Sequence, residues 1–258
     1  MNQFEWDCER HCAAIYRSSG YLHQVYELEN YEWEDFYNLQ KEIGLLCANT
    51  ESFLFKGMGV NVLLWGARGC GKSSLIKALL PKYAKAGLRI LQIFKQDLKV
   101  LPEILDFLRT KDYKFIVFCD ELSFDENDQE YKNLKTILEG SIERFPQNIR
   151  FYVTSNRRHL MPEFHSENEI FGFEGNEDKI ALFERFPLCI GFYTHGNQEY
   201  LEVLQGYFKK LPLELQNPDN WENIRQKALI FASKRGSKNP RIATQFFKLY
   251  ESGLIDLI

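Results

Sequence analysis

Residues 60–193 predict an α/β fold, a five-stranded parallel sheet sandwiched by helices. Three observations carry that prediction. Apolar runs of strand length alternate with amphipathic stretches across the span, and a glycine-rich loop joins the first run to the first amphipathic stretch. After Tyr193 the strand signals stop and only helical spacing continues. In order, the expected strands are Val60–Trp65, Leu88–Phe94, Phe115–Cys119, Ile149–Thr154 and Leu188–Tyr193. Helices are expected between them at Lys72–Ala86, Pro102–Arg109, Tyr131–Phe145 and Lys179–Arg185. Pro81 should kink or shorten the first of these and Gly87 end it. Pro102 suits a first helical turn, where its missing N–H leaves no bond unmade.

The flanks read as helical. Residues 1–48 place Trp6, Ile15, Tyr16, Tyr21, Val25 and Tyr26, then Phe36, Leu39, Ile43 and Leu46, largely at steps of three and four, with breaks at Gly20 and near Asn30. Asn197–Leu211, Trp221–Lys234 and Ile242–Tyr250 predict three further helices, separated by Asn217-Pro218-Asp219 and by Gly236–Pro240. The chain is thus expected to divide into an N-terminal helical segment (1–48), an α/β domain (49–195) and a helical domain (196–258).

Composition narrows the classes. With 258 residues, 45% hydrophobic and 26% charged, the chain is an ordinary globular protein and not a disordered, collagenous or wholly coiled-coil one. The net charge of −4 argues against global attraction to polyanions and leaves room for a local basic patch. No stretch supplies the roughly 7–15 apolar residues of a signal peptide or the ~20 of a membrane span. A cytoplasmic protein is expected. The six cysteines lack a CxxC pair and read as free thiols. Cys8, His11 and Cys12 make half of a metal set that no second cysteine or histidine pair completes.

The chemistry begins at residues 66–73, Gly-Ala-Arg-Gly-Cys-Gly-Lys-Ser, which fit G-x-x-x-x-G-K-[ST] at every fixed position, with a strand before and a helix after. Gly66, Gly69 and Gly71 let the backbone curl so that successive N–H groups point at phosphate oxygens, and the helix start adds its positive end. Residues Ala67, Arg68, Cys70 and Ser74 complete the expected phosphate-binding stretch. Lys72 would place a cation on the β- and γ-phosphates, and Ser73 a hydroxyl on magnesium. A second strand, Phe115–Cys119, ends in Asp120-Glu121. In a parallel sheet that end arrives at the same edge as the loop. Asp120 is then the magnesium carboxylate, and Glu121 the group that polarises an attacking water. A third strand, Ile149–Thr154, runs into Ser155-Asn156, placing Asn156 where it could hydrogen-bond the water or the γ-phosphate; the same tripeptide also suits a plain turn.

The order of these motifs resembles the AAA+ ATPases, with GARGCGKS as Walker A, FIVFCDE as Walker B and Asn156 at the sensor 1 position. Leu182-Phe-Glu-Arg-Phe-Pro187 resembles the segment carrying the arginine finger, which matches Arg185. Gly236-Ser-Lys-Asn-Pro-Arg241-Ile-Ala resembles sensor 2, which matches Arg241, with Arg235 and Lys238 as neighbouring candidates. More narrowly, Asn49-Thr50-Glu-Ser-Phe53, Asn61-Val-Leu-Leu-Trp-Gly66, Lys72-Ser-Ser-Leu-Ile-Lys-Ala-Leu79, Thr154-Ser-Asn-Arg-Arg-His159 and Gln245-Phe246 look like a bacterial AAA+ family catalogued only as a domain of unknown function. The likeness implies a AAA+ nucleotide-binding domain followed by a helical lid, with ATP and Mg2+ in the cleft between them. It also implies a homo-oligomeric ring or open ring in which Arg185 reaches a neighbour's nucleotide. The chain departs from the family where Glu184-Arg185-Phe186-Pro187 replaces the commoner Asp-Arg-Phe-Gly.

The expected function is therefore an ATPase that hydrolyses Mg-ATP to remodel or load a macromolecular client, protein or nucleic acid. The alternatives are a nucleotide switch or loader with weak turnover, and a P-loop kinase. Arg157-Arg158-His159 is a small basic cluster suited to phosphate or to solvent, and Arg225, Lys227, Lys234, Arg235 and Lys238 make the lid basic. Phe94-Lys-Gln-Asp-Leu-Lys does not resemble a protein-threading loop. The N-terminal aromatics, among them Tyr31, Phe36 and Tyr37, read as packing. Cys70 inside the loop suggests that modification there would block nucleotide.

Overall fold

The computed structural model describes residues 4–124, 128–139, 142–157, 160, 182–211 and 221–255. Its centre is a seven-stranded sheet in the order β2-β1-β4-β5-β6-β3-β7. The strands are β1 (Ala13–Arg17), β2 (Tyr21–Gln24), β3 (Val62–Gly66), β4 (Leu88–Ile93), β5 (Lys114–Cys119), β6 (Ile149–Ser155) and β7 (Leu188–Phe192). All neighbours pair in parallel except β1 with β2. The four strands β4, β5, β6 and β3 in the middle of the sheet are near-continuous apolar runs because both faces are covered. Leu63, Leu91, Phe115, Val117 and Phe151 pack into one buried cluster, and Val62, Leu64, Ile90, Ile116 and Tyr152 into the other.

The first helical stretch is two pieces, α2 (Lys72–Lys77) and α3 (Leu79–Tyr83), joined at Ala78 and followed by a short 3-10 turn. Gly87 ends it at φ 93°, as its sequence position predicts. Pro102 occupies the first turn of α4 (Leu101–Arg109), and α5 spans Gln129–Glu139. The C-terminal helices α6 (Asn197–Lys209), α7 (Trp221–Lys234) and α8 (Pro240–Glu251) close around a separate core of Tyr200, Leu204, Ala228, Phe231 and Phe246. Asn217-Pro218-Asp219 and residues 179–181 lie outside the described residues.

Two expectations are corrected. The sheet has seven strands rather than five, and residues 1–48 are not a helical segment. Ala13–Arg17 and Tyr21–Gln24 form an antiparallel hairpin whose first strand adds to the sheet beside β4. Gly20, expected to separate two helices, instead closes the hairpin at φ 95°, with its N–H on Arg17 O at 2.8 Å. The physical reason is that short apolar runs of four- and five-residue strands satisfy helical spacing by accident when aromatics are dense. Among the described residues of this region, α1 (Gln40–Glu51), which carries Ile43 and Leu46, is the α-helix that follows the helical reading.

Candidate nucleotide site

The loop after β3 meets three other chain segments at the carboxyl edge of the sheet. Gly66, at φ 122°, lets the loop lie against β7, since a Cβ there would come within 1.9 Å of Phe192 O. The Ala67 N–H donates to that carbonyl at 2.9 Å. Beyond it, the backbone N–H groups of residues 70–74 make no hydrogen bond to the protein among the described residues. They border a cavity of about 710 Å³ that Arg68, Gly69, Cys70, Gly71, Ser73 and Ser74 also line. That is a volume of the size that holds a small-molecule ligand. Unsatisfied donors of this kind suit an anion.

Lys72 is buried at 7% exposure. Its Nζ donates to the carbonyls of Gly66 and Ala67 at 2.8 Å each and to Asn156 Oδ1 at 3.4 Å. Burial lowers its pKa, against smaller opposing effects of Cys70, Asp120 and Glu121. The Ser73 hydroxyl donates to Asp120 Oδ1 at 2.5 Å, and the Thr154 hydroxyl donates to the same oxygen. Thr154 Oγ1 also accepts from the Glu121 N–H at 2.9 Å, and Thr154 O from the Leu122 N–H at 2.7 Å. These bonds hold Glu121 at φ 53°, uncommon for a residue with a side chain. Glu121 is exposed into the cavity. Register explains the convergence: β3 pairs with β6 from Val62↔Tyr152 to Trp65↔Ser155, and β6 with β5 up to Cys119↔Val153. The three strand ends therefore finish side by side.

The donor set fits magnesium. A hydroxyl and a carboxylate are hard oxygen ligands, and Mg2+ is commonly held by one or two carboxylates plus substrate phosphates and water. Among the described residues no three His, Cys, Asp or Glu gather into a group of their own, so Ser73 and Asp120 are the residues that would hold it.

The C-terminal helices touch the loop directly. Asn239 caps α8, its Oδ1 accepting from Ile242 N at 3.0 Å, while its Nδ2 donates to Arg68 O at 2.9 Å. Gly69, at φ 74°, makes room for it, because a Cβ there would fall 2.6–2.9 Å from the Asn239 side chain. The Arg241 N–H donates to Gly69 O at 3.3 Å, and Arg241, Gln245 and Lys248 line the cavity at helical steps. Asn239→Ala is expected to destabilise the protein by about 1 kcal/mol through the lost cap. Denaturant unfolding checks this, and a variant as stable as the parent would show that the cap is not formed.

Not every expected residue gathers here. Arg185 is at the amino edge, a strand's length away, where its carbonyl accepts from Asn61 Nδ2 at 3.1 Å and its Nη2 lies 3.7 Å from Glu139 Oε1. Arg225 pairs with Glu222 and Arg235 lies over the Phe231 ring. Among the described residues, Arg241 is thus the cavity-lining cation of those named in the C-terminal helices. Arg157 Nη1 turns back to Phe124 O at 3.4 Å, and Arg158 and His159 lie outside the described residues. Cys70 is buried with its Sγ on Tyr193 O at 3.4 Å, and burial raises its pKa.

Sequence reasoning missed four features. Thr154 reads as a β-branched strand residue; its position one step before a strand end was the available signal. Lys248 lies one heptad past Arg241 and could have been found by that step. Tyr31 and Phe36, stacked at 6.3 Å, line the cavity with Leu39 and are more than packing. No local pattern places them beside a loop more than thirty residues on.

The fold and this site define a P-loop protein, an α/β sheet with a glycine-rich loop and an acid-ended strand at its carboxyl edge. The chain belongs to the family described as "Protein of unknown function (DUF815)", which matches residues 9–254. Among solved structures it is similar to the Orc1 protein of Aeropyrum pernix in complex with DNA. That match has a TM-score of 0.54 and 15% identity over 80% of this chain and 57% of the other. It is also similar to the Thermotoga maritima RuvB Holliday junction branch migration motor, with a TM-score of 0.46 and 13% identity over 84% of this chain and 71% of that one. At these identities the likeness concerns the fold alone. No curated protein matches the chain. No helix among the described residues is long and apolar enough to cross a membrane.

Proposed function

We propose that the chain binds ATP with Mg2+ in the 710 Å³ cavity and hydrolyses it to remodel or load a macromolecular client. Residues 49–195, with the β1–β2 hairpin on their sheet and Tyr31 and Phe36 on the cavity, serve as the nucleotide domain and 196–258 as its lid. The observation that carries this reading is the convergence of Lys72, Ser73, Asp120 and Asn156 on one loop of free amides. Lys72 and the amides bind the phosphates. Ser73 and Asp120 hold the metal, which, when bound, offsets negative charge on the phosphate oxygens. Glu121 orients and polarises a water from the cavity side, and Asn156 fixes its position. Arg241 and Lys248 add cations from the lid.

Arg185 cannot reach its own cavity from the amino edge. This supports its action on the nucleotide of a second copy in an oligomer, where an arginine would stabilise charge on the γ-phosphoryl oxygens. Steady-state ATP turnover without an acceptor tests the main reading; phosphate transfer only when an acceptor is added would indicate a kinase instead. Arg185→Ala is expected to lower turnover at least tenfold with ATP affinity nearly unchanged. Mixing it with a Lys72→Ala variant should restore part of the activity. Proven oligomers that show no such rescue would rule out action between copies.

A further inference from the structure

A second cleft lies at the amino edge of the sheet, away from the nucleotide cavity. Arg109 at the end of α4, Lys111, and Lys114 at the start of β5 surround about 270 Å³ together with Gln147 and Asn148. The cleft is built rather than accidental. Asn148 Nδ2 donates to the carbonyls of Leu108 at 3.0 Å, Lys111 at 3.1 Å and Tyr113 at 3.3 Å, which fastens the α4–β5 turn to the start of β6.

Its charge is unbalanced. Arg109 is paired with Glu143 and Asp106. Lys111 and Lys114 make no ion pair among the described residues; their ammonium groups lie over Phe107 at 4.8 Å and Phe53 at 5.6 Å. The Phe53 ring also carries the Arg150 guanidinium at 4.8 Å. Among the described residues Arg150 donates to backbone carbonyls, those of Gly57, Gly59, Gln147 and Ile149. The exposed Asp112 is the further carboxylate nearby in sequence. Three cations without a carboxylate partner thus gather in a chain of net charge −4. The bonds from Arg150 also hold the segment that displays Phe55 and Met58, 66% and 68% exposed, on either side of Lys56 and Gly57.

We propose that this edge binds single-stranded nucleic acid, with Lys111 and Lys114 on backbone phosphates and Phe55 stacked on a base. A basic groove with exposed aromatic side chains is the combination that single strands use, and Arg150, over the Phe53 ring with Lys114 and bonded to Gly57 O, links these cations to the segment that bears Phe55. The cleft is open, whereas a free phosphate calls for an enclosing cradle of donors, and an acidic protein segment leaves Phe55 without a stacking partner. The inference does not depend on ATP hydrolysis.

The test is fluorescence anisotropy of a labelled oligothymidylate with the full chain over a salt series. Lys111→Glu with Lys114→Glu should weaken binding at least tenfold. It should also flatten the log–log salt slope by about 1.4, at ~0.7 per lost single-strand phosphate contact. Phe55→Ala should cost roughly 5- to 100-fold on the single strand and leave duplex binding unchanged. Both variants should melt as the parent does. Any of four results overturns the proposal: no binding by the parent chain, equal binding by the charge-reversed variant, displacement of the strand by millimolar free phosphate, or equal affinity for polyglutamate. Loss of binding on Arg157→Ala, with the lysine variant unaffected, would move the contact to the other edge and overturn it too.

Discussion

Glu121→Gln is expected to stop ATP turnover while ATP stays bound. The loss should be roughly 10²- to 10⁴-fold, the range for removing a positioned general base. Glutamine has the same shape and keeps Lys72, Ser73 and Asp120 in place, so binding has no reason to fall. The backbone at this position is left-handed, φ 53°, and is held there by the two bonds to Thr154. Glutamine occupies that conformation at the same cost as glutamate, which leaves stability unchanged. Turnover equal to that of the parent would take Glu121 out of the mechanism. Nucleotide lost together with turnover would make it a binding group.

Lys72→Ala is expected to weaken ATP binding by roughly 10- to 100-fold, since hydrogen bonds to charged groups contribute about 1.5–3 kcal/mol. The variant also leaves the carbonyls of Gly66 and Ala67 without their shared donor. A modest fall in Tm is therefore expected without nucleotide. The diagnostic quantity is the rise in Tm on adding ATP, because a ligand at free concentration L that binds the folded state stabilises it by RT ln(1 + L/Kd), which grows as its Kd falls. The parent should show a rise that the variant loses at the same ATP concentration. An undiminished rise in Lys72→Ala would mean that the nucleotide sits elsewhere.

What the sequence disclosed follows from the range over which each signal acts. The phosphate loop was legible because strand, glycines, lysine and helix lie within one short span with fixed spacing. Asp120 was legible because an apolar run ending in an acid marks the carboxyl end of a buried strand. Thr154 was not, since threonine inside an apolar run is ordinary strand composition; its role comes from β6 lying between β5 and β3. The β1–β2 hairpin was read as helix because its apolar positions are few and its pairing partner, β4, is some seventy residues away. Tyr31 and Phe36 reach the cavity only through that same N-terminal excursion over the sheet. Arg185 was found by likeness alone, and its distance from the cavity is what the amino edge of β7 dictates.

The most direct measurement is equilibrium titration of Mg-ATP into the purified chain and into its Asp120→Ala variant, with and without EDTA. One site per chain that saturates in the parent, weakens without the metal and loses its metal dependence in the variant is the predicted result. A parent chain that takes up no ATP at millimolar concentration, or binds it equally well with EDTA and without Asp120, would contradict the account.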